Sequence, residues 1–245
     1  MLYKIRTDQR STIDYFKIKL DRIFIFVDRA TEIEFFRELN FHHFELSMRH
    51  VEQGTVSHFF FLKNVNLELI RIENQELATR YSTQSSINFV SHAQWRLNKA
   101  LPFGLVLYYA VDQKLKSRRR CHHMKQEIKG GQPSSKVNFS LKNLENLEEP
   151  ACYIIPESFI AENLLDSTSV IKQRLFGDRS NTSKLTDIQI TLNSSISMTK
   201  TVSLISDLEL INIKKGDFPQ LELKFGSSNK GLSTSFDSIP VIFHY

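Results

Sequence analysis

The sequence lacks several features that would assign it to a familiar class at once. It has no run of about 18 uninterrupted apolar residues, and its first residues contain no apolar core of the signal-peptide type, so no membrane partner is expected. Only two of the 245 residues are cysteine, Cys121 and Cys152, which excludes a disulfide scaffold and fits a reducing compartment. We therefore expect a cytoplasmic protein.

Catalytic motifs of well-defined spacing are missing as well. The sequence has no Gly-rich phosphate loop, no nucleophile elbow and no His-Glu-x-x-His run, which disfavours phosphoryl transfer and nucleophilic catalysis. The formal charge of +5 is small for a chain in which 24% of the residues are charged with both signs. A nucleic-acid partner is therefore not expected either.

The first organised stretch is residues 20–74, which read as one β-α-β-β-β unit. A β-branched and aromatic strand over 20–27 precedes a helix over 28–39, whose apolar residues have helical spacing. Three more strands are predicted over 44–50, 57–63 and 66–73. Arg22 lies inside the first strand, where an isolated buried charge is costly.

The same order of elements returns, with a weaker pattern, over residues 184–245. Its first strand is "LTDIQITL" (185–192), with Asp187 at the position that Arg22 holds in the first unit. Residues 1–19 are interpreted as an N-terminal extension, and residues 75–183 as a connecting segment with a helix, a strand over 102–111 and a basic loop. A repeated unit of this kind predicts two modules that pack together.

Four stretches resemble a known family. They are "LDRIFIFVD" (20–28), "HVEQGTVSHFFFLKNVNLELI" (50–70), "PFGLVL" (102–107) and "YIIPESFIAEN" (153–163). The sequence is similar there to the glyoxalase-like branch of the vicinal oxygen chelate superfamily, to which glyoxalase I and the extradiol dioxygenases belong. The resemblance implies an α+β fold in which paired β-α-β-β-β modules form an incomplete barrel around a central cleft that binds a small molecule.

The resemblance also identifies candidate site residues. In metal-dependent members, a His or Gln of the first strand and a Glu of the fourth strand of each module bind one divalent ion. In the first module these two positions hold Arg22 and Glu68. In the second module the first-strand position holds Asp187, and the last strand has no carboxylate. A guanidinium cannot coordinate a cation. We therefore predict no metal and no cofactor, and an Arg22 that faces Glu68, with Asp187 as a further partner. The alternatives are a solvent-facing Arg22 with an exposed Glu68, and a surviving metal site.

Further candidates for substrate binding surround the predicted turn at Gly54, which suggests either a backbone with positive φ or the close approach of a ligand. They are His50, Gln53, Thr55 and His58. The competing interpretation is a turn that merely carries surface polar groups. Trp95 is a candidate pocket wall, although a single Trp is more often part of a core.

Three functional hypotheses remain open. The first is a metal-independent glyoxalase-like protein that binds or transforms a small oxygenated metabolite, with Arg22 as an anion anchor and Glu68 as the base. The second is a metal-dependent lyase, isomerase or dioxygenase of the same superfamily. The third is a non-catalytic interaction module that uses the basic loop 114–125. The sequence is compatible with a homodimer but does not fix the oligomeric state.

Overall fold

The fold is of the α+β class, as the sequence predicts. The computed structural model describes residues 3–4, 15–39, 43–85, 87–111, 143, 145–155, 160–163, 173, 182–226, 231–236 and 238–245. Within these residues the strands form two separate sheets, one of seven strands and one of five. The basic loop 114–125 and Cys121 lie outside the described residues.

The first sheet has the strand order β3-β4-β5-β2-β6-β7, and the short β1 pairs with β2. Its strands are β1 (Tyr3–Lys4), β2 (Tyr15–Phe26), β3 (Phe44–His50), β4 (Thr55–Phe61), β5 (Asn66–Ile72), β6 (Phe103–Val111) and β7 (Ala151–Ile155). The helices of this half are α1 (Ala30–Glu38), α2 (Gln75–Ser85) and α3 (Phe89–Ala93), with 3-10 turns at Val51–Gln53 and Ala161–Asn163. β2 pairs with β5 in parallel and with β6 in antiparallel orientation.

The second sheet has the order β11-β12-β10-β8-β9. Its elements are β8 (Leu185–Asn193), α4 (Lys200–Asp207), β9 (Asn212–Gly216), β10 (Gln220–Phe225), β11 (Ser233–Phe236) and β12 (Ile239–His244). The polar residues 227–238 predict a turn before the last strand, but β11 lies within this segment. Its Ser, Thr and Phe residues have no strong alternating pattern, and the antiparallel pairing with β12 decides its structure.

The strands of the first sheet extend beyond residues 20–74. β2 begins at Tyr15, so the predicted extension over 1–19 overlaps the first long strand, and β6 and β7 of the predicted connecting segment complete the first sheet. The two predicted modules also pair their strands differently. β3 lies at the far edge of its sheet from β2, whereas β9 lies directly beside β8.

A shared core joins the two sheets through α1. The Phe36 ring on α1 lies 6.1 Å from Phe60 of the first sheet and 5.1 Å from Phe243 of the second. Ile23 and Ile25 of β2 point into this core, together with the apolar face of the second sheet. Because side chains alternate along a strand, Phe24 and Phe26 point to the opposite face of the first sheet.

That opposite face, which carries Phe24, Phe26 and Ile70, is called the outer face below. Side chains of α2 and α3 cover part of it, and the rings of Phe26 and Phe89 lie 5.8 Å apart. Gly104 leaves room for the Phe24 ring, since a Cβ at Gly104 would lie 2.2 Å from that ring. The outer face also holds two of the charged residues predicted to face each other, Arg22 and Glu68.

Candidate functional site

A β-bulge in β2 creates the charged cluster of the outer face. Leu20 pairs with Leu107 and Arg22 pairs with Val106, which leaves Asp21 as the extra residue between them. A bulge breaks the alternation of side chains, so Asp21 and Arg22 approach each other, with Nη1 of Arg22 2.5 Å from Oδ2 of Asp21. The side-chain amide of Asn66 donates to the Asp21 carbonyl, at 3.2 Å. The bulge is thereby held in place.

Arg22 forms an ion pair with Glu68, with Nε of Arg22 2.7 Å from Oε2 of Glu68. The contact is ionic rather than a directed hydrogen bond, because the Nε–H group has no partner of hydrogen-bond geometry. The Arg22 side chain is 12% exposed and that of Glu68 is 6% exposed. Burial opposes the charge of Arg22, but Glu68 and Asp21 together hold its pKa above the ordinary value. The predicted pairing of Arg22 with Glu68 is present.

Glu68 on β5 lies between two aromatic residues of the neighbouring strands. Phe24 is its cross-strand neighbour on β2, and Phe59 is its cross-strand neighbour on β4. The Ser57 hydroxyl donates to Oε1 of Glu68 at 2.6 Å, while Arg22 contacts the other oxygen. The Phe59 ring also lies 5.8 Å from the Arg22 guanidinium carbon. Glu68 is therefore a buried carboxylate with one fixed partner on each oxygen.

Asp21 is held by a second contact from the other side of the cluster. Its carboxylate accepts a hydrogen bond from the backbone N–H of Ala161, at 3.2 Å to Oδ1. Burial raises the pKa of Asp21, and the neighbouring Arg22 opposes that rise. The 3-10 turn that begins at Ala161 is thus fixed to the outer face by Asp21.

Two more titratable groups lie within electrostatic reach of this cluster. Burial lowers the pKa of His50, with Glu68 opposing and Arg22 adding to the shift, so the imidazole is neutral near pH 7. Burial raises the pKa of Tyr153, and Glu68 raises it further, so the phenol stays protonated. Sequence reasoning included His50 but missed Asp21, Ser57 and Tyr153, which occur within ordinary strand patterns.

The predicted turn near His50 has a structural role. Gly54 has φ 66°, and a Cβ at this position would lie 2.4 Å from the carbonyl oxygen of Asn74. Gln53 donates to the Tyr81 hydroxyl and Thr55 donates to Gln53, both at 3.4 Å. The expected positive φ is confirmed, while Gln53 and Thr55 contact each other and α2 rather than Glu68.

His58 and Trp95 do not join the cluster. Nδ1 of His58 lies 3.7 Å from Oε1 of Glu45, and His58 points away from the outer face because it alternates with Phe59. The half-buried Trp95 ring lies 4.5 Å from the guanidinium carbon of Arg96, just beyond the end of α3. Neither residue is placed to contact a ligand beside Glu68.

Asp187, expected as a further partner of Arg22, pairs within the second sheet instead. Its carboxylate lies 3.0 Å from Nζ of Lys224 and accepts from the Asn212 side chain at 2.6 Å. The reason is that the second sheet buries one face only. Asp187 belongs to the polar face of that sheet, which points away from the core shared with α1.

The residues present do not fit the metal site that the resemblance implies. Arg22 stands where the resemblance would place the first ligand, and a guanidinium has no lone pair to offer. Across the described ranges, no group of three or more His, Cys, Asp or Glu side chains is arranged to hold a metal ion.

A shallow cavity of about 250 Å³ lies elsewhere, at the carboxyl ends of β2 and β5. It is lined by Val27, Asp28, Arg71, Ile72, Glu73, Gln75, Ala93 and Gln94. It shares no lining residue with the Arg22–Glu68 cluster, although it is on the same sheet. The Arg22–Glu68 cluster is chemically more specific than this cavity, because its charged groups are buried and have fixed partners.

Comparisons with known proteins establish similarity of fold alone. No family model and no curated protein matches the sequence. A crystal structure of a hypothetical protein from Staphylococcus aureus is similar, with a TM-score of 0.55 and 11% identity, over 93% of this chain and 99% of that one. In the described part of the chain, no helix is long and apolar enough to span a membrane.

Proposed function

We propose that this chain is a glyoxalase-like protein that binds a small oxygenated metabolite beside Glu68 without a bound metal, in the cytoplasm. The observation that carries the proposal is the buried ion pair between Arg22 and Glu68. These two residues stand at the first-strand and fourth-strand positions where the resembled family places metal ligands. The guanidinium supplies there the positive charge that a divalent ion would supply.

The chemistry open to such a site is that of a fixed carboxylate. Ser57 and Arg22 hold the two oxygens of Glu68, and each oxygen retains a lone pair that can accept a hydrogen bond from a ligand hydroxyl. Glu68 is also the group that would take a proton from a carbon next to a carbonyl of a ligand bound here. Proton transfer of this kind is the step that a lyase or isomerase of the glyoxalase type would use.

Ligand-observed NMR with a mixture of small hydroxy- and oxo-compounds tests the proposal. The experiment compares the wild type, Glu68→Gln and the control Glu45→Gln, each with and without excess EDTA. Glu45 is a suitable control because it pairs with Arg37 on the partly exposed side of β3. We expect binding to the wild type and the control that weakens at least about tenfold in Glu68→Gln. Binding that EDTA abolishes would contradict the proposal.

A further inference from the structure

We propose that the site beside Glu68 selects uncharged or cationic ligands and repels anions. This inference rests on the proposed function and names the class of ligand. It also replaces the expectation, drawn from the sequence, that Arg22 anchors an anion.

The charges of the cluster carry the inference. One guanidinium, that of Arg22, contacts two carboxylates, Glu68 at 2.7 Å and Asp21 at 2.5 Å. With both carboxylates ionised, the three groups carry a net charge of one negative unit. An arginine that binds a ligand anion presents free N–H groups in a fork; here two of the three guanidinium nitrogens already face carboxylates.

The cluster carries no net positive charge, whether Asp21 is ionised or protonated. Burial raises the pKa of Asp21, and a protonated Asp21 would make the total charge of the cluster zero. His50, which is also within electrostatic reach among the described residues, is neutral near pH 7 because burial lowers its pKa. The summed charge of Arg22, Glu68, Asp21 and His50 is therefore zero or negative near neutral pH. An anion that enters this poorly solvated site would approach Glu68, and among the residues that the structure describes the only cation beside Glu68, Arg22, is already paired with carboxylates.

The surroundings indicate an apolar body for the ligand. The outer-face side chains of β3 are Phe44, Leu46 and Met48, which are only partly buried, and they adjoin the buried Phe59 and Phe61 of β4. This apolar surface begins one strand away from Glu68, since Phe59 is the cross-strand neighbour of Glu68. A ligand with an apolar ring and one hydrogen-bond donor would place the ring on this surface and the donor on the carboxylate.

Three probes of nearly equal shape test the inference: benzylamine, benzyl alcohol and benzoate. Dissociation constants are measured by NMR titration at pH 7 with the wild type, Glu68→Gln, Asp21→Asn and the control Glu45→Gln. We expect the wild type and the control to bind benzylamine or benzyl alcohol at least about tenfold more tightly than benzoate. Each variant that removes a carboxylate of the cluster should reduce this ratio.

The two ways of failing are distinguishable. If benzoate binds the wild type most tightly, and does so beside Glu68, the charge selection is wrong while the proposed site stands. If none of the probes binds and the hydroxy- and oxo-compounds fail as well, both the inference and the proposed function are wrong. Asp21→Asn keeps the Arg22–Glu68 pair, so the inference remains testable even if Glu68→Gln does not fold.

Discussion

Arg22→Met should destabilise the protein more than Glu68→Leu does. Removal of Arg22 leaves two buried carboxylates, Asp21 and Glu68, without their cation, and breaking a buried pair in this way costs about 3–5 kcal/mol. Removal of Glu68 leaves Arg22 paired with Asp21, so we expect a loss of only about 1–3 kcal/mol. The asymmetry follows directly from the second carboxylate on Arg22.

The double variant gives the coupling energy between the two residues. In Arg22→Met/Glu68→Leu the uncompensated Glu68 is gone, and a leucine between Phe24 and Phe59 packs in the aromatic row. We therefore expect the double variant to be about 1–3 kcal/mol more stable than the sum of the single losses predicts. The assay is urea denaturation at pH 7 for the four proteins of the cycle.

A second cycle on a partly exposed pair is the matched control. Arg37 and Glu45 lie 2.5 Å apart, with side chains 36% and 27% exposed. Their coupling in Arg37→Met/Glu45→Leu should stay under about 1 kcal/mol, because solvent screens the pair. Near-zero coupling between Arg22 and Glu68, equal to that of the control, would refute the claim that the buried pair organises the site.

Three further predictions concern the contacts around the site and between the sheets. Ser57→Ala removes the hydroxyl that donates to Glu68 and should lower the free energy of unfolding by about 1–3 kcal/mol. Arg96→Met should lower it by about 1–2 kcal/mol, because Arg96 bonds the fully buried Glu32 and also the Ser238 carbonyl at the second sheet. Burial lowers the pKa of His92 from 6.5, so below about pH 6.5 the unfolded chain binds a proton that the folded chain does not, and stability should fall as the pH is lowered.

Each of these predictions has its own check by denaturation. Ser47→Ala, at an exposed position of β3, is the control for Ser57→Ala and should change stability by less than about 0.5 kcal/mol. An equal decrease in the free energy of unfolding in Ser57→Ala and Ser47→Ala would show that the hydrogen bond from Ser57 to Glu68 does not stabilise the protein. Arg96→Met with unchanged stability would show that its contacts are screened by solvent. The loss of stability between pH 7 and pH 5 should be smaller in His92→Gln than in the wild type. An equal loss in both proteins would show that other groups cause it.

Most strands of the fold could be predicted from the sequence because hydrophobic and β-branched residues define them. β3 spans the expected residues 44–50, and β5 ends within one residue of its expected end. β11 was missed because its Ser-rich segment has no such pattern, and only its pairing with β12 identifies it. Strand order was not predictable, because it depends on long-range pairing rather than on local pattern.

The candidate site was predictable in one part only. Arg22 stood out as a charge within an apolar strand, and the resemblance to the glyoxalase-like proteins pointed to Glu68 as its partner. Asp21 was missed because regular alternation assigns neighbouring residues to opposite faces, and the bulge that brings Asp21 beside Arg22 leaves no signal in the sequence. Asp187 was misplaced because matching position in a pattern does not establish proximity in space.

The most direct test of the central claim, that a guanidinium takes the place of a metal ion beside Glu68, is elemental analysis of the purified protein and of Glu68→Ala. The account predicts no stoichiometric divalent metal in either protein, and no rise in the midpoint of thermal unfolding when zinc, nickel or manganese is added. About one zinc, iron, nickel or manganese per chain in the wild type, lost in Glu68→Ala, would contradict the account and establish the metal-dependent alternative.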